Sequence, residues 1–485
     1  MTTPQAPQSR RAARSAEPAT PGGQMGGIRG FVAAHRTGVI VAAGALAFLL
    51  LATGALYAGA AVGSRTTDAA PTTETVTEGG RVRPAEVAEP SRLRTCTVAA
   101  LAADPRLVGF TGAVTNASTG AVLFDRGSIT ASSTAGASKV LTAAAAINIL
   151  GPDTTLSTRV YQGGSPKTIV LVGGGDPTIT ALESGESVYP GAPRLSALAE
   201  QVLDNYSDDI ENIVLDASLW PQTDKWDASW PRSAQTTGTL SEVTALQVDG
   251  DRGDPTAQVS PRSTDPVARA GVLFAEALGL NPDDITFSLG SAVSSKPLLG
   301  EVKSQPINVL VNQMLTQNDG TLAEQLARLV SKTAGYGGTA ASLQQAITSS
   351  LAVFGVSTSG VTIQDGSGVS PATLVPPKFL ADFMAKVLAG QNNLNLVYNS
   401  LPVAGKPGAL AARFTGDSAA AKNQVLAIPG SSGGYSLAGL ILSVDGTPLA
   451  FSFAATGAGV KDNARAALDS LATGVFACGD NLSNN

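Results

Sequence analysis

The chain has 485 residues, a net charge of −6, a single histidine at position 35 and two cysteines, Cys96 and Cys478. Beyond His35 it can therefore hold no Ser-His-Asp or Cys-His triad and no histidine-ligated zinc, and two cysteines cannot complete a four-cysteine site. The acidic balance, and the lack of any Lys/Arg cluster interleaved with aromatics, argue against a nucleic-acid partner, and no residue pattern calls for a metal or cofactor.

Residues 1–37 carry Arg10, Arg11, Arg14, Arg29 and Arg36 against Glu17 alone and read as a basic cytoplasmic tail. Residues 38–63 contain the uncharged run Val39 to Val62, longer than the ~20 residues a helix needs to cross a bilayer. Arginines before it and an acidic, longer segment after it place the N-terminus in the cytoplasm and the bulk of the chain outside the cell membrane. A cleaved signal peptide is the competing reading. Small residues at Ala58-Gly59-Ala60 favour it, and an apolar run exceeding the usual core of about 7–15 residues opposes it. Residues 64–94 are rich in Thr, Pro and Glu without apolar period and read as a solvated linker.

The folded part is expected to run from Cys96 to Cys478. Two cysteines bracketing an exported domain suggest one disulfide, with two separate buried thiols as the alternative. Phe110 to Val114 and Gly120 to Phe124 flank Asn116-Ala117-Ser118-Thr119 as a β-hairpin. Val140 to Leu150 is a uniformly apolar, Ala-rich helix suited to the centre of a core. Residues 168–172 form a strand ending in Gly173-Gly174-Gly175, while 266–279 and Thr321 to Lys332 read as helices. Ser436 to Val444 and Pro448 to Ala454 alternate around Asp445-Gly446 as a tight hairpin, before a final helix over Lys461 to Thr473. Trp220, Trp226 and Trp230 read as a core cluster of an inserted region, with a carbohydrate-stacking platform as the alternative. A helical middle with an antiparallel sheet built from both ends is an α+β arrangement.

Leu171 to Thr180 (LVGGGDPTIT), Val243 to Arg252 (VTALQVDGDR), Asp216 to Trp220, Asp365-Gly366-Ser367-Gly368 and Leu401 to Lys406 stand in an order that resembles the D-alanyl-D-alanine carboxypeptidase/endopeptidases, the low-molecular-mass penicillin-binding proteins. The resemblance implies a β-lactamase-like transpeptidase domain, an antiparallel sheet flanked by helices, from residues 95–165 and 300–478. An accessory insertion would occupy 166–299, and 479–485 would form a tail.

Enzymes of this type need Ser-x-x-Lys on a helix, Ser-x-Asn, and Lys-Thr-Gly on a strand. Here the first motif aligns with Gly136-Ala137-Ser138-Lys139, keeping the lysine and replacing the nucleophile by Gly136. The second becomes Asn318-Asp319-Gly320, a turn and helix cap, so Asn318 and Gly320 replace both active side chains. The third becomes Ile428-Pro429-Gly430. Lys332-Thr333-Ala334-Gly335 is a decoy at a helix end. Ser138 is adjacent to Lys139 and points about 100° away on a helix, and Ser132 and Ser133 fall on the preceding loop. Loss of the nucleophile costs on the order of 10^6 in turnover in subtilisin. The expectation is an inactive, membrane-anchored relative that binds peptidoglycan stem peptide or an envelope protein. The alternative is an active serine carboxypeptidase cleaving the terminal D-Ala-D-Ala bond.

Overall fold

The computed structural model describes residues 93–293 and 295–484. The expected basic tail, the membrane anchor and nearly all of the linker lie outside these residues. Among the described residues no helix is long and apolar enough to cross a membrane.

Both ends of the chain build one antiparallel sheet. Strands β1 (Phe110–Asn116) and β2 (Val122–Arg126) form the expected hairpin. Three late strands, β10 (Val425–Gly430), β11 (Tyr435–Leu442) and β12 (Pro448–Ala455), complete the order β10-β11-β12-β1-β2. β1 meets β12 from Phe110 opposite Ala455 to Asn116 opposite Leu449, which commits the two ends of the sequence to each other. The link between β11 and β12 is longer than the two-residue turn expected. Ser443 Oγ and Thr447 N–H both donate to the Asp445 carboxylate, stabilising a wider connection.

A second, mixed sheet has the order β7-β6-β5-β4-β8. Its strands are β4 (Ser157–Gln162), β5 (Thr168–Val172), β6 (Asn212–Asp216), β7 (Thr286–Leu289) and β8 (Leu298–Lys303), so it reaches beyond 166–299 at both ends. β5, β6 and β7 pair in parallel, which requires crossovers. Helices α1 (Leu195–Asn205) and α2 (Pro266–Ala277) lie in those crossovers. α1 buries Leu195, Leu198, Ala199 and Val202, a single stripe at helical spacing. The second begins at Asp265, whose carboxylate accepts from Ala268 N–H, with Pro266 at the first helical position.

Numbering the remaining long helices in chain order after a buried central one, αC (Lys139–Leu150), they are α3 (Ile307–Thr316), α4 (Gly320–Thr333), α5 (Leu343–Ser350), α6 (Pro377–Ala389) and α7 (Ala464–Cys478). Every residue of αC from Lys139 to Ile147 is buried, and Ala143 to Ala146 let α3, α4 and α5 approach closely. α6 lies on β12, β1 and β11, while α7 contacts β11 and ends at Cys478. Cys478 is disulfide-bonded to Cys96, with their Cα atoms 5.4 Å apart across 382 residues of sequence, so the two cysteines form the expected bridge and not separate thiols.

Two expectations are corrected. Ser132–Ser133 is not loop but a two-residue strand, β3, paired with β9 (Leu374–Val375), and Ser132 Oγ hydrogen-bonds Thr111 Oγ1 at 3.0 Å. Trp220 and Trp230 are buried against the central helices, in the same core as αC, and not in the separate core of the second sheet. Trp226 packs edge-on against Trp230 at 5.3 Å.

Candidate functional site

Lys139 opens αC, and Ser138 occupies its N-cap position. The preceding Ala135 and Gly136 both have positive φ, +48° and +115°. At Gly136 this is a conformation that L side chains rarely adopt, so the backbone as well as the side chain departs from what a serine would need. A Cβ placed on Gly136 would lie 3.2 Å from Lys139 Nζ and 3.6 Å from Gly430 Cα. The first and third motif positions are thus brought together, with no hydroxyl between them.

Lys139 is fully buried, and its Nζ donates to main-chain carbonyls, Ser367 O at 2.9 Å and Gly136 O at 3.4 Å. Burial pulls its pKa down to about 8, although the charges of Asp365, Glu324 and Asp319 oppose the shift. Ser138 Oγ is buried too and accepts from Thr134 Oγ1 at 3.0 Å.

The Asp365-Gly366-Ser367-Gly368 loop beneath the lysine is held from several sides. Glu324 of α4 accepts from the amides of Gly366 (3.1 Å) and Ser367 (2.6 Å), and Thr142 Oγ1 donates to Gly366 O at 2.6 Å. Asp365 accepts from Trp230 Nε1 (2.8 Å), Thr373 Oγ1 (2.6 Å) and the amides of Gly368 and Ser370. Burial, reinforced by the Asp365 charge, raises the Glu324 pKa to about 7.

The two shifts have opposite consequences for stability. Glu324 titrates higher when folded, so its contribution is complete below about pH 4.5 and is lost as pH rises through about 7. Lys139 titrates lower when folded, so its contribution is present above about pH 10.5 and is lost as pH falls through about 8. Chemical denaturation across pH should therefore show the stability of wild type falling relative to Glu324→Gln between pH 4.5 and 7. Relative to Lys139→Met it should rise between pH 8 and 10.5, each change being about 1–3 kcal/mol. Flat differences would contradict the buried placement of both groups.

Gly320 opens α4, and Asp319 caps it by accepting from Leu322 N–H at 2.9 Å, as the turn-and-cap reading expects. Asn318 has φ +56° and its buried Oδ1 has no partner. Asp319 is also tied to the inserted region. Arg252 Nη2 donates to its Oδ2 at 2.7 Å, Tyr189 OH donates to the same oxygen at 2.9 Å, and Arg252 Nη1 reaches Tyr189 OH at 2.7 Å. Burial would raise the Asp319 pKa, but the Arg252 and Arg262 charges more than reverse that and hold it well below the usual carboxylate range.

Ile428, Pro429 and Gly430 are all buried in β10, opposite Ala438, Leu437 and Ser436. Ala404 N–H donates to Val425 O and Ala427 N–H to Pro402 O, so the odd-numbered residues of β10 face its outer edge. Pro429 is next on that edge and offers no donor. A Cβ on Gly430 would come within 2.5 Å of Ala135 O, which shows how tightly the strand end is pressed on the loop before αC. Ser432 closes the same gap, its N–H donating to Ala135 O (3.2 Å) and its Oγ to Val369 O (2.9 Å). Cavities of about 760, 420 and 250 Å³ exist elsewhere, and none is lined by Gly136, Lys139, Asn318 or Ile428. The Lys332-Thr333 decoy ends α4 with both side chains exposed. Sequence reasoning missed Glu324, the Trp230–Asp365 bond and the Arg252–Tyr189–Asp319 network. Each depends on residues distant in sequence, and the only signal was that several fell inside the quoted resemblance segments.

The profile described as the D-Ala-D-Ala carboxypeptidase 3 (S13) family matches residues 95–260 and 252–475. Carboxypeptidase DacB of Mycolicibacterium smegmatis is 32% identical over 453 residues, covering 90% of this chain and 96% of that protein. A D-alanyl-D-alanine carboxypeptidase of Actinomadura is 28% identical over 442 residues, covering 74% of this chain and 80% of its own length. In fold, penicillin-binding protein 4 of Haemophilus influenzae superposes with a TM-score of 0.62 at 20% identity, over 76% of this chain and 95% of that one. The chain belongs to the D-Ala-D-Ala carboxypeptidase S13 family of peptidoglycan metabolism, with the α+β fold of penicillin-binding protein 4.

Proposed function

We propose that this family member works in the cell envelope without acyl-transfer chemistry, held at the membrane by residues 38–63 and acting by binding wall material or an envelope protein. The observation that carries the reading is Gly136. The position that should present a nucleophile to Lys139 has no side chain, and it has a φ of +115°. The surroundings agree with it. Lys139 donates to carbonyls, a proline stands on the outer edge of β10, and Gly430 and Ser432 press on the loop where an acyl group would have to sit. An activated hydroxyl next to a base is the minimum for covalent catalysis of this type, and Lys139 has none within hydrogen-bonding reach.

The reading predicts that the purified full chain releases no D-alanine from a D-Ala-D-Ala-terminated stem peptide above the uncatalysed rate. Release that depends on protein concentration and is abolished by Ser138→Ala would overturn it.

A further inference from the structure

The largest of the described cavities, about 760 Å³, lies away from the motif residues, within the 300–1,000 Å³ usual for small-molecule sites. It runs between the turn of the β1–β2 hairpin, α6 and the Gly355–Ser359 loop. The two ends of β1 serve different places. Thr111 bonds β3 near the motif loop, whereas Thr115 lines this cleft about 13 Å further along the strand.

Thr115 supplies the observation that points to a ligand. It is 1% exposed, it borders the cleft, and its Oγ1 is buried without a hydrogen-bond partner. Leaving a hydroxyl so placed costs about 1–3 kcal/mol unless something meets it. Around it the polar lining consists largely of hydroxyls, Ser357 and Ser359 among them, each able to donate and to accept. Lys378 and Asp382 pair with each other at 2.6 Å at the rim, and Lys386 adds one further positive charge to the lining. The apolar part includes Phe379, whose ring is backed by a parallel Phe383 ring at 6.3 Å, and Ile129, which is 79% exposed. Such a site suits a hydroxyl-rich ligand with flat C–H faces and small apolar substituents, whose carbonyl or hydroxyl oxygens can accept from Lys386.

We propose that this cleft binds an oligosaccharide of N-acetylated amino sugars, with a ring face on Phe379, a sugar or amide group meeting Thr115 Oγ1, and an acetamido methyl against Ile129. The inference rests on the reading of the chain as a wall-binding protein and names the ligand and the place. It separates the sugar site from the motif residues, none of which lines this cleft.

The test is calorimetric titration of the full chain with chitotetraose, which contains no peptide and so reports nothing about residues 136–139. Saturable one-site binding is expected. Ser357→Trp, an exposed position where the indole fills the cleft, should abolish it. Thr115→Val, which keeps the shape and removes the unpartnered hydroxyl, should weaken it at least fivefold without lowering the melting temperature. Absence of saturable binding, binding that survives either substitution, or displacement of the sugar by a sugar-free D-Ala-D-Ala peptide would overturn the inference. Those results would leave the absence of acyl transfer standing, and that is tested separately with penicillin.

Discussion

Replacing Arg252 with methionine should destabilise the fold by about 3–5 kcal/mol, read as a lower midpoint in urea denaturation. The size follows from what remains behind. Arg252 and Asp319 are 1% and 3% exposed, their side chains meet at 2.7 Å, and the Arg252 guanidinium also sits 4.8 Å from the Tyr189 ring centre. Without the arginine, the Asp319 carboxylate stays buried with Tyr189 OH and a helix amide as its hydrogen-bond donors. Pairing the change with Asp319→Asn removes the stranded charge and keeps a side chain able to cap α4. The double variant should recover at least about 2 kcal/mol relative to the sum of the single effects. Simple additivity would mean that the pair is not coupled. This network joins the inserted region to the second motif, so its role in this chain is to fix the start of α4.

Restoring the missing hydroxyl alone, with Gly136→Ser, should leave acylation by a fluorescent penicillin at background, at least on the order of 10^2–10^3 below that of an intact serine enzyme. A serine at this position must accept a φ of +115°, a strain of about 1–3 kcal/mol, with its Cβ 3.2 Å from the Lys139 amine. Even when accommodated, it would lie against Gly430, the end of a strand that carries Ile428 and Pro429 where the family has lysine and threonine, beside a loop pinned by Gly430 and Ser432. Electrostatic stabilisation of the developing charge is usually the largest catalytic contribution, and neither an ammonium nor a strand donor is in place there. Robust labelling of Gly136→Ser would show that the strand and loop relax readily and that only the nucleophile is missing.

Much of the architecture was legible because its signals are local. The uniform apolarity of Val140 to Leu150 announced a buried helix, and alternation at both ends of the chain announced the antiparallel sheet. The Gly136–Lys139 spacing is equally local, and the structure places Lys139 at the start of αC and Gly136 just before it. Other features carried no local signature. Two residues, Ser132–Ser133, become a strand only because Leu374–Val375 lies beside them. The tryptophans were legible as core residues, but which core they join depends on segments more than 100 residues away, as with Trp230 on Asp365. The approach of the strand end to the loop before αC belongs to this class as well. Nothing in Ala135 or Gly430 taken singly says that their backbones touch. Gly430 has no side chain, and the fold uses that absence to bring the strand end onto the loop.

Intact-protein mass spectrometry of the unmodified full chain, after incubation with excess benzylpenicillin, tests the proposal that it forms no acyl-enzyme. An unchanged mass is expected under conditions that fully acylate an active carboxypeptidase of the family. A stoichiometric penicilloyl adduct mapping to a single serine or threonine would contradict it.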